Sequence, residues 1–529
     1  MRPDTGTLVP GRLIAIPAGA AVLCELVAWA MLAMPGTLSP GWYGAPRLLA
    51  AVHLLTLGTL ALSIVGFCWQ LVPVVTAEAS PPWWPTAGSA VSGLLIVGVL
   101  LLCAGMLWLP GPLAGVGGAI VIIALASRTL MVGTVLVRSS GRRAIRGWLL
   151  GAEVSLLVGL ALGGLLLAGR MGHPVLENPI TGIGWHAALL LLLLGWVGGW
   201  IGGIAGVLLP MFAVSTPPRP ALTALAGALW FVGLWTGVTV LWAFGAALLG
   251  CGLLWSLHGR VQRRLSPGLL TAAMGLLGLL LLGGLALTRE ADGVTLAVAG
   301  LVLFALPVLR GVALRIAPFL LWSHHFSARL TDAPPVSALL WTRGPGWRAC
   351  CRCWGRGAAR RAHLGAVGPR EAGGWTRPVR QRSSRWCDGR CPAQGLDNQH
   401  PPGHPPWHGG MMGLLDRIRG AFAAPPCPAI YTAEGEEGAL LAAIAQVIDP
   451  EVGLDIVSMG LIREVSIRDG HGHLTLTLTT AGCPMADQLT AEIRQVITAQ
   501  GLTPELDVVF DPPWRPDHIS PEGQAALGR

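Results

Sequence analysis

The sequence predicts a polytopic α-helical membrane bundle of about ten spans, followed by a disordered linker and a small cytoplasmic α/β domain. Three observations predict this architecture. Of the 529 residues, 53% are hydrophobic and 12% are charged, which argues against an ordinary soluble protein. Long apolar runs fill residues 1–341 and then stop. Arginines and acidic residues number 17 and 8 in 1–341, 12 and 3 in 342–410, and 7 and 16 in 411–529, so three chemically different segments follow one another.

The bundle is predicted from apolar runs of bilayer-spanning length. These runs lie at 11–34, 48–72, 87–109, 112–137, 147–168, 183–213, 268–287 and 294–323. The run 221–257 is too long for one span, so we divide it into two. Arginines cluster after the fourth and eighth spans, and the positive-inside rule then places both chain ends in the cytoplasm. We expect a multi-pass protein of the cytoplasmic membrane, in contact with lipid, whose first span is an anchor rather than a removable signal peptide.

An internal repeat lies within the bundle. HLLTLGTLALSIVGFCWQLVP and LLLLLGWVGGWIGGIAGVLLPMF each place a glycine, a glycine and a proline at offsets of 0, 8 and 15. The residues are Gly58, Gly66 and Pro73 in the first copy and Gly195, Gly203 and Pro210 in the second. Small residues at these spacings allow close helix approach, and neighbouring helices make a proline tolerable. Packing alone is therefore one sufficient explanation of the repeat.

The repeat resembles the membrane proteins related to NnrS and the catalytic subunit of haem-copper oxidases, in which a histidine-bearing helix runs into this pattern. RIAPFLLWSHHFSARL, residues 315–330, also resembles their last span. The resemblance implies haem or copper in the membrane domain, because neutral imidazole binds both metals. The candidate ligands are His53, five residues before Gly58, and His186, one turn before the equivalent Leu190. The alternative is that each histidine hydrogen-bonds a neighbouring helix.

Three ionisable residues are also predicted at membrane depth, namely Glu25, Arg128 and Glu153. Such groups usually face the interior of a bundle and pair with one another. We predict a structural Arg128–Glu153 ion pair, with a proton path as the alternative.

Residues 342–410 do not resemble a folded domain. They contain 12 arginines, five cysteines and five tryptophans, but no isoleucine or phenylalanine to form a core. We expect neither a zinc site nor a nucleic-acid partner for this segment. We interpret the segment as disordered and as an out-of-frame junction between two genes, because MMGLLDRIRGAF at 411–422 reads as a new start.

The third segment, 411–529, is predicted to be a small α/β domain. An alanine-leucine pattern predicts a helix at 438–447, and LIREVSIRD and HLTLTLTT alternate as strands joined by a turn in RDGHGH. Helical spacing follows at 485–499, and LDVVF at 506–510 predicts a third strand.

A single cysteine stands at the junction of the second strand and the second helix, in LTTAGCPMADQL at 478–489. Gly482 permits an unusual backbone conformation before Cys483, and Pro484 suits a first helical position. We therefore expect the Cys483 thiol at a helix N-terminus, where the helix dipole favours the thiolate that binds metals. The alternative is a buried, inert cysteine.

Three motifs in this segment resemble the iron-sulfur assembly family that includes PaaD and SufT. They are DPEVGLDIVSMGLI at 449–462, LTTAGCPMADQL, and VVFDPPWRPDHIS at 508–520. The resemblance implies a role in maturing iron-sulfur proteins or delivering clusters to them. By position, Cys483 matches the family's cysteine, and Asp449, Glu451 and Asp455 match its acidic start.

A transient iron-sulfur cluster would bind through the Cys483 thiolate, with other ligands from a second subunit, a partner protein or a small thiol. The expected partners are therefore apo iron-sulfur proteins, assembly factors or a second copy of the chain. Asp511, Trp514 and Asp517 are predicted to form a surface beside the thiol, or alternatively a structural loop. Because no catalytic pair accompanies Cys483, we do not expect an enzyme. The alternative function is a haem-binding, metal-binding or transport membrane protein with the soluble domain joined by gene fusion or frameshift.

Overall fold

The computed structural model describes most of the chain outside the predicted linker. The described residues are 9–37, 45–76, 78, 80–108, 111–139, 143–172, 183–260, 266–288, 291, 293–326, 429–450, 452–479, 483 and 485–527. The segment 342–410 and the run at 411–422 lie outside them, so the predicted disorder and the predicted gene junction remain predictions.

Ten helices occupy the described part of residues 1–341, each where an apolar run predicts one. They are α1 (Arg12–Ala33), α2 (Pro46–Thr76), α3 (Trp84–Leu107), α4 (Pro112–Arg138), α5 (Arg143–Arg170), α6 (Ile183–Ala213), α7 (Pro220–Thr236), α8 (Thr239–His258), α9 (Pro267–Thr288) and α10 (293–326). Short π-helical segments interrupt α2 at Leu54–Ala61 and α10 at Gly300–Ala305. Among the described residues, nine of the helices are long and apolar enough to cross a bilayer, and α7 is shorter, with 17 residues.

The division of the long run 221–257 into two helices is confirmed, and a glycine produces it. Gly237 ends α7 in the left-handed conformation, with φ 74° and ψ 8°, which costs glycine no Cβ clash. The helices α7 and α8 then pack closely, because a Cβ on Gly233 would stand 2.3 Å from the backbone nitrogen of Trp242.

The repeated glycines are packing positions in both copies. A Cβ on Gly58 of α2 would stand 2.7 Å from Cβ of Cys24 in α1, and a Cβ on Gly195 of α6 would stand 2.9 Å from Oγ of Ser155 in α5. The second glycine of each copy meets the same neighbouring helix as the first. Each repeat helix therefore packs through its glycines against the helix that precedes it in the chain.

The predicted Arg128–Glu153 ion pair is confirmed. Arg128 is fully buried on α4, and Glu153 on α5 is 4% exposed. The Glu153 carboxylate also accepts hydrogen bonds from Thr129 Oγ1 at 2.5 Å and from Trp200 Nε1 at 2.7 Å. The third predicted residue, Glu25, pairs with Arg310 of α10. These pairs neutralise charge within the bundle, and the proton-path alternative stays untested.

The outward-facing side chains of the bundle are largely apolar. Many large hydrophobic residues on its helices are half or more exposed, for example Ile16, Leu23, Leu26, Leu130, Val137 and Leu281. Contiguous exposed apolar surface is unfavourable in water and marks a surface that contacts something else. The charged groups of the pair Arg128–Glu153 lie inside instead.

The C-terminal domain is a small α/β domain, as predicted. Its elements are α11 (Gly435–Ile444), β1 (Ile462–Arg468), β2 (His471–Leu476), α12 (Ala486–Ala499), β3 (Thr503–Val508), a 3-10 turn (Pro516–His518) and α13 (Pro521–Ala526). The sheet order is β1-β2-β3. The strands β1 and β2 are antiparallel, whereas β2 and β3 are parallel because α12 crosses between them.

The two faces of this sheet differ. Leu474 and Leu476 of β2 belong to the same buried apolar cluster as Ile493 and Ile497 of α12. Gly472 lets that helix come close, because a Cβ there would stand 2.8 Å from Cγ2 of Ile497. Residues of β2 alternate between buried and half-exposed, which is the pattern of a strand with one covered face.

The predicted turn in RDGHGH is shorter than expected. Asp469 and Gly470 alone make it, both with positive φ, at 50° and 76°. Two such residues match the twist of a hairpin, so the strands continue up to them. His471 and His473 therefore lie in β2, on its half-exposed face, with their Nδ1 atoms 2.7 and 2.8 Å from the two carboxylate oxygens of Glu505.

Candidate functional site

Cys483 lies between β2 and α12, as predicted, but it does not start the helix. The helix α12 begins at Ala486, with Met485 as its N-cap. The backbone carbonyl of Cys483 accepts a hydrogen bond of 3.1 Å from the nitrogen of Ala486. Gly482 and Pro484 lie outside the described residues. Because the dipole effect falls off within the first turn, the position three residues before the helix weakens the predicted effect on the thiol.

The Cys483 side chain is also buried, with 6% of its surface exposed. It belongs to the apolar cluster of the C-terminal domain, together with Met485 and Leu489. The burial agrees with the alternative of a buried cysteine, and the predicted role of the thiol in cluster binding stays a prediction. An incoming metal or protein can reach the sulfur only if the segment around Cys483 opens.

The acidic residues at the start of the first motif accept hydrogen bonds from the backbone of their own loop. Asp449 is 5% exposed, and its Oδ1 accepts a hydrogen bond of 3.1 Å from the nitrogen of Val452. Asp455 Oδ1 accepts one of 2.7 Å from the nitrogen of Ser458. Glu451 lies outside the described residues. Asp449 and Asp455 thus have a visible structural role, and their predicted part in binding a cluster or partner stays a prediction.

The third motif packs against the first. The indole nitrogen of Trp514 donates a 2.9 Å hydrogen bond to the carbonyl oxygen of Met459, and its ring packs against the apolar cluster that contains Cys483. Asp511 and Asp517 are exposed. Trp514 therefore has the structural role that the sequence left open, while the two carboxylates are accessible to a partner.

All three motifs contribute to one apolar cluster. Val452 and Met459 come from the first motif, Cys483 and Met485 from the second, and Trp514 from the third. Segments far apart in sequence therefore meet in the apolar cluster that contains the cysteine. The sequence predicts that they act together, and the structure brings them together.

Sequence reasoning missed the residues that lock the first and third motifs to each other. Gly460 has φ +65°, and a Cβ there would stand 1.8 Å from the carbonyl oxygen of His518. Tyr431 Oη donates to that same oxygen at 2.6 Å, and the nitrogen of Ser520 donates to the oxygen of Ser458 at 2.8 Å. The glycine in VSMGLI was the only sequence signal for this contact, and glycine alone does not specify what approaches it.

His518 is held neutral by its surroundings. The Nδ1 atom accepts a 3.1 Å hydrogen bond from the backbone nitrogen of Arg515, which requires a free lone pair. Burial lowers the pKa of His518 below 6.5, and the positive charges of Arg463 and Arg515 lower it further, against a smaller opposing effect of Asp517. A proton on this imidazole would break the Nδ1 hydrogen bond.

The structure does not test whether the predicted haem or copper ligands of the helical domain come together. His53 ends the first part of α2, and its Nδ1 lies 2.7 Å from the carbonyl oxygen of Leu49. The backbone of His186 lies in α6, and its side chain is outside the described residues. The described part of the chain contains no group of three or more His, Cys, Asp or Glu residues placed to hold a metal ion. The haem or copper site stays a prediction.

Comparison with known proteins identifies similarity in the C-terminal domain. A family model described as "Iron-sulfur cluster assembly protein" matches residues 437–503, which include Cys483. The chain is 38% identical over 92 residues to the Fe-S protein maturation auxiliary factor YitW of Bacillus subtilis (strain 168), covering 17% of this chain and 90% of that relative. It is 39% identical over 85 residues to the Fe-S protein maturation auxiliary factor SufT of Staphylococcus aureus (strain USA300), covering 16% and 97%.

A further relative is the Fe-S protein maturation auxiliary factor of Porphyromonas gingivalis (strain ATCC BAA-308 / W83), 35% identical over 85 residues, covering 16% of this chain and 81% of the relative. The matches to the Bacillus and Staphylococcus factors take in nearly all of those proteins. The C-terminal domain therefore corresponds to a complete protein of its own kind, and the helical domain lies outside the similarity.

Proposed function

Because the chain belongs, through its C-terminal domain, to the family of iron-sulfur cluster assembly proteins, we propose that this domain is a non-catalytic accessory that passes clusters to apoproteins. The observation that supports the proposal is the meeting of the three motifs in the apolar cluster that contains Cys483. The cluster is the cargo, and the Cys483 thiolate is its ligand in this chain. One thiolate cannot hold a cluster alone, so a second copy, an assembly factor or the apoprotein supplies the others.

Burial of Cys483 would protect the sulfur between transfers. A sulfur that is 6% exposed is protected from oxidants in the resting domain. Contact with a donor or an apoprotein opens the segment around Cys483 and exposes the sulfur. Asp511 and Asp517, exposed on the same loop as the half-buried Trp514, would contact that partner.

The test is the substitution Cys483→Ser, expressed from the native locus. We expect the activities of iron-sulfur enzymes in the cell to fall to the level of a strain that lacks the gene. Cys251→Ser is the matched control, because Cys251 is an exposed cysteine of α8, and it should leave those activities unchanged. Wild-type activities in the Cys483→Ser strain would refute the proposed role of this thiol.

We further propose that the helical domain lies in the cytoplasmic membrane, with both chain ends in the cytoplasm. The support is the apolar outward surface of the bundle and the arginines at 138, 142, 143 and 146, from the end of α4 to the first turn of α5. The assembly domain would then act next to the inner membrane surface. Reporter fusions check this topology: a fusion after 529 and one in the loop after α4 should both report the cytoplasm, and one between α3 and α4 the opposite side.

A further inference from the structure

The helical domain contains an apolar cavity of about 30 Å³ lined by both repeat helices. Helix α2 supplies Ile64, Phe67 and Cys68 to its wall, and helix α6 supplies Ile201, Ile204 and Ala205. A turn of α10 closes the third side. The six named residues are 9% exposed or less, so these walls of the cavity are buried.

Six of the lining residues, three from each helix, occupy equivalent positions of the repeat. Ile64, Phe67 and Cys68 stand 6, 9 and 10 residues after Gly58, and Ile201, Ile204 and Ala205 stand 6, 9 and 10 residues after Gly195. The two helices therefore turn the same face toward a shared space. In membrane proteins built from internal repeats, binding sites commonly lie at the interface of the repeats.

The polar atoms of the wall are already engaged. The Cys68 thiol donates to the carbonyl oxygen of Val65 at 3.0 Å. Trp200, which also lines the cavity, donates its indole N–H to Glu153 Oε1 at 2.7 Å. A water molecule needs two to four polar partners to be held in a cavity. This one offers mainly hydrocarbon and aromatic surface, which favours an uncharged apolar occupant over water or an ion.

The buried ion pair of Arg128 and Glu153 holds the Trp200 side chain in the cavity wall. The guanidinium carbon of Arg128 lies 4.3 Å from the centre of the Trp200 ring, and Glu153 holds the other edge of the indole by its hydrogen bond. Arg128 and Glu153 are themselves paired. Trp200 is therefore held on the side away from the cavity and cannot readily rotate to fill it.

We propose that this cavity binds a small, uncharged, apolar molecule of about two or three non-hydrogen atoms, the size class of dissolved gases. The size follows because a single water molecule needs roughly 10–15 Å³ measured in the same way. The binding site lies at the interface of the repeats and is independent of the iron-sulfur assembly function of the C-terminal domain.

Xenon is the probe, because it enters dry apolar cavities. Crystals of the full chain under xenon pressure should show one anomalous peak between Ile64 and Ile201. Ala205→Ile fills the space and should abolish the peak, whereas Ile201→Ala enlarges the space and should increase its occupancy. Gly206→Ala is the matched control on the same helix, because nothing lies within 4 Å of the added Cβ, and it should leave the occupancy unchanged.

Should Ala205→Ile fail to fold, the wild type and Ile201→Ala still decide the question. Absence of xenon from both would overturn the proposal. A detergent or lipid chain in the wild-type cavity would also overturn it, since the site would then belong to the surrounding lipid.

Discussion

At the scale of single residues, the sequence predicts where Cys483 lies between the secondary-structure elements, but it does not predict that the side chain is buried. The pattern strand, glycine, cysteine, proline, helix places the thiol between β2 and α12, and the structure agrees to within one residue of the predicted helix start. Its burial depends on tertiary packing, in an apolar cluster to which the first and third motifs also contribute. No local pattern contains that information, because the three motifs are separated by other elements of the fold.

Gly460 carries the first residue-scale prediction. Gly460→Ala should lower the free energy of unfolding of the isolated domain 429–529 by at least about 2 kcal/mol, because a positive φ costs roughly 1–3 kcal/mol without glycine and the new Cβ would also strike His518. Gly470→Ala is the control: it has φ +76° with nothing within 4 Å, so it tests backbone strain alone. Urea denaturation measures both. Equal losses in the two variants would contradict the contact with His518.

The second prediction for a single residue concerns His518. Since its pKa lies below 6.5 in the folded domain, the unfolded chain takes up the proton first as pH falls through 6.5, and the domain loses stability there. Above that pH the residue adds no pH dependence. His518→Asn keeps an acceptor for the nitrogen of Arg515 but cannot be protonated. Between about pH 7.5 and about pH 5.5, the variant should therefore lose less stability than the wild type by urea denaturation. Identical losses would show that His518 is not the group responsible.

At the scale of elements, the sequence predicted helices well because apolar length sets them. The ten predicted spans needed only hydropathy and the length of each apolar run, and the structure shows that Gly237 sets where the run 221–257 divides. The hairpin between β1 and β2 was placed correctly, but its turn was predicted to be longer than it is. His471 and His473 look like turn residues beside Gly470 and Gly472, yet Gly472 is a strand residue that makes room for Ile497. The glycine at this position is therefore explained by tertiary packing against α12 and not by the turn.

Close helix approach in the bundle gives an element-scale prediction. A Cβ on Gly117 of α4 would stand 2.2 Å from the backbone nitrogen of Leu102 in α3. Gly117→Val should force the two helices apart and lower the thermal unfolding temperature of the detergent-solubilised chain, since overpacking typically costs about 1–3 kcal/mol. Gly133→Val on the same helix is the control, with open space around its added Cβ. A comparable loss at both glycines would show that helix propensity, not the contact, is responsible.

At the scale of the whole molecule, a family domain of about one sixth of the chain accompanies a helical domain that the relatives do not share. The gene-junction interpretation of 342–410 predicts that the cell contains the two parts as separate polypeptides. Antibodies against the C-terminal domain should then detect a species far below 55.2 kDa. A single band at the full mass, verified by mass spectrometry across 342–410, would show that one polypeptide carries both domains.

Whether the cell contains one polypeptide or two, Cys483 is proposed to be the cluster ligand of the assembly domain. The direct measurement is anaerobic reconstitution of residues 429–529, in which Cys483 is the sole cysteine, with iron, sulfide and a small thiol that supplies the remaining ligands, followed by iron and sulfide analysis and Mössbauer spectroscopy. We predict a cluster shared between two copies and completed by the small thiol, about one per two chains, and none in Cys483→Ser. The same iron and sulfide content and the same spectrum in both proteins would contradict it.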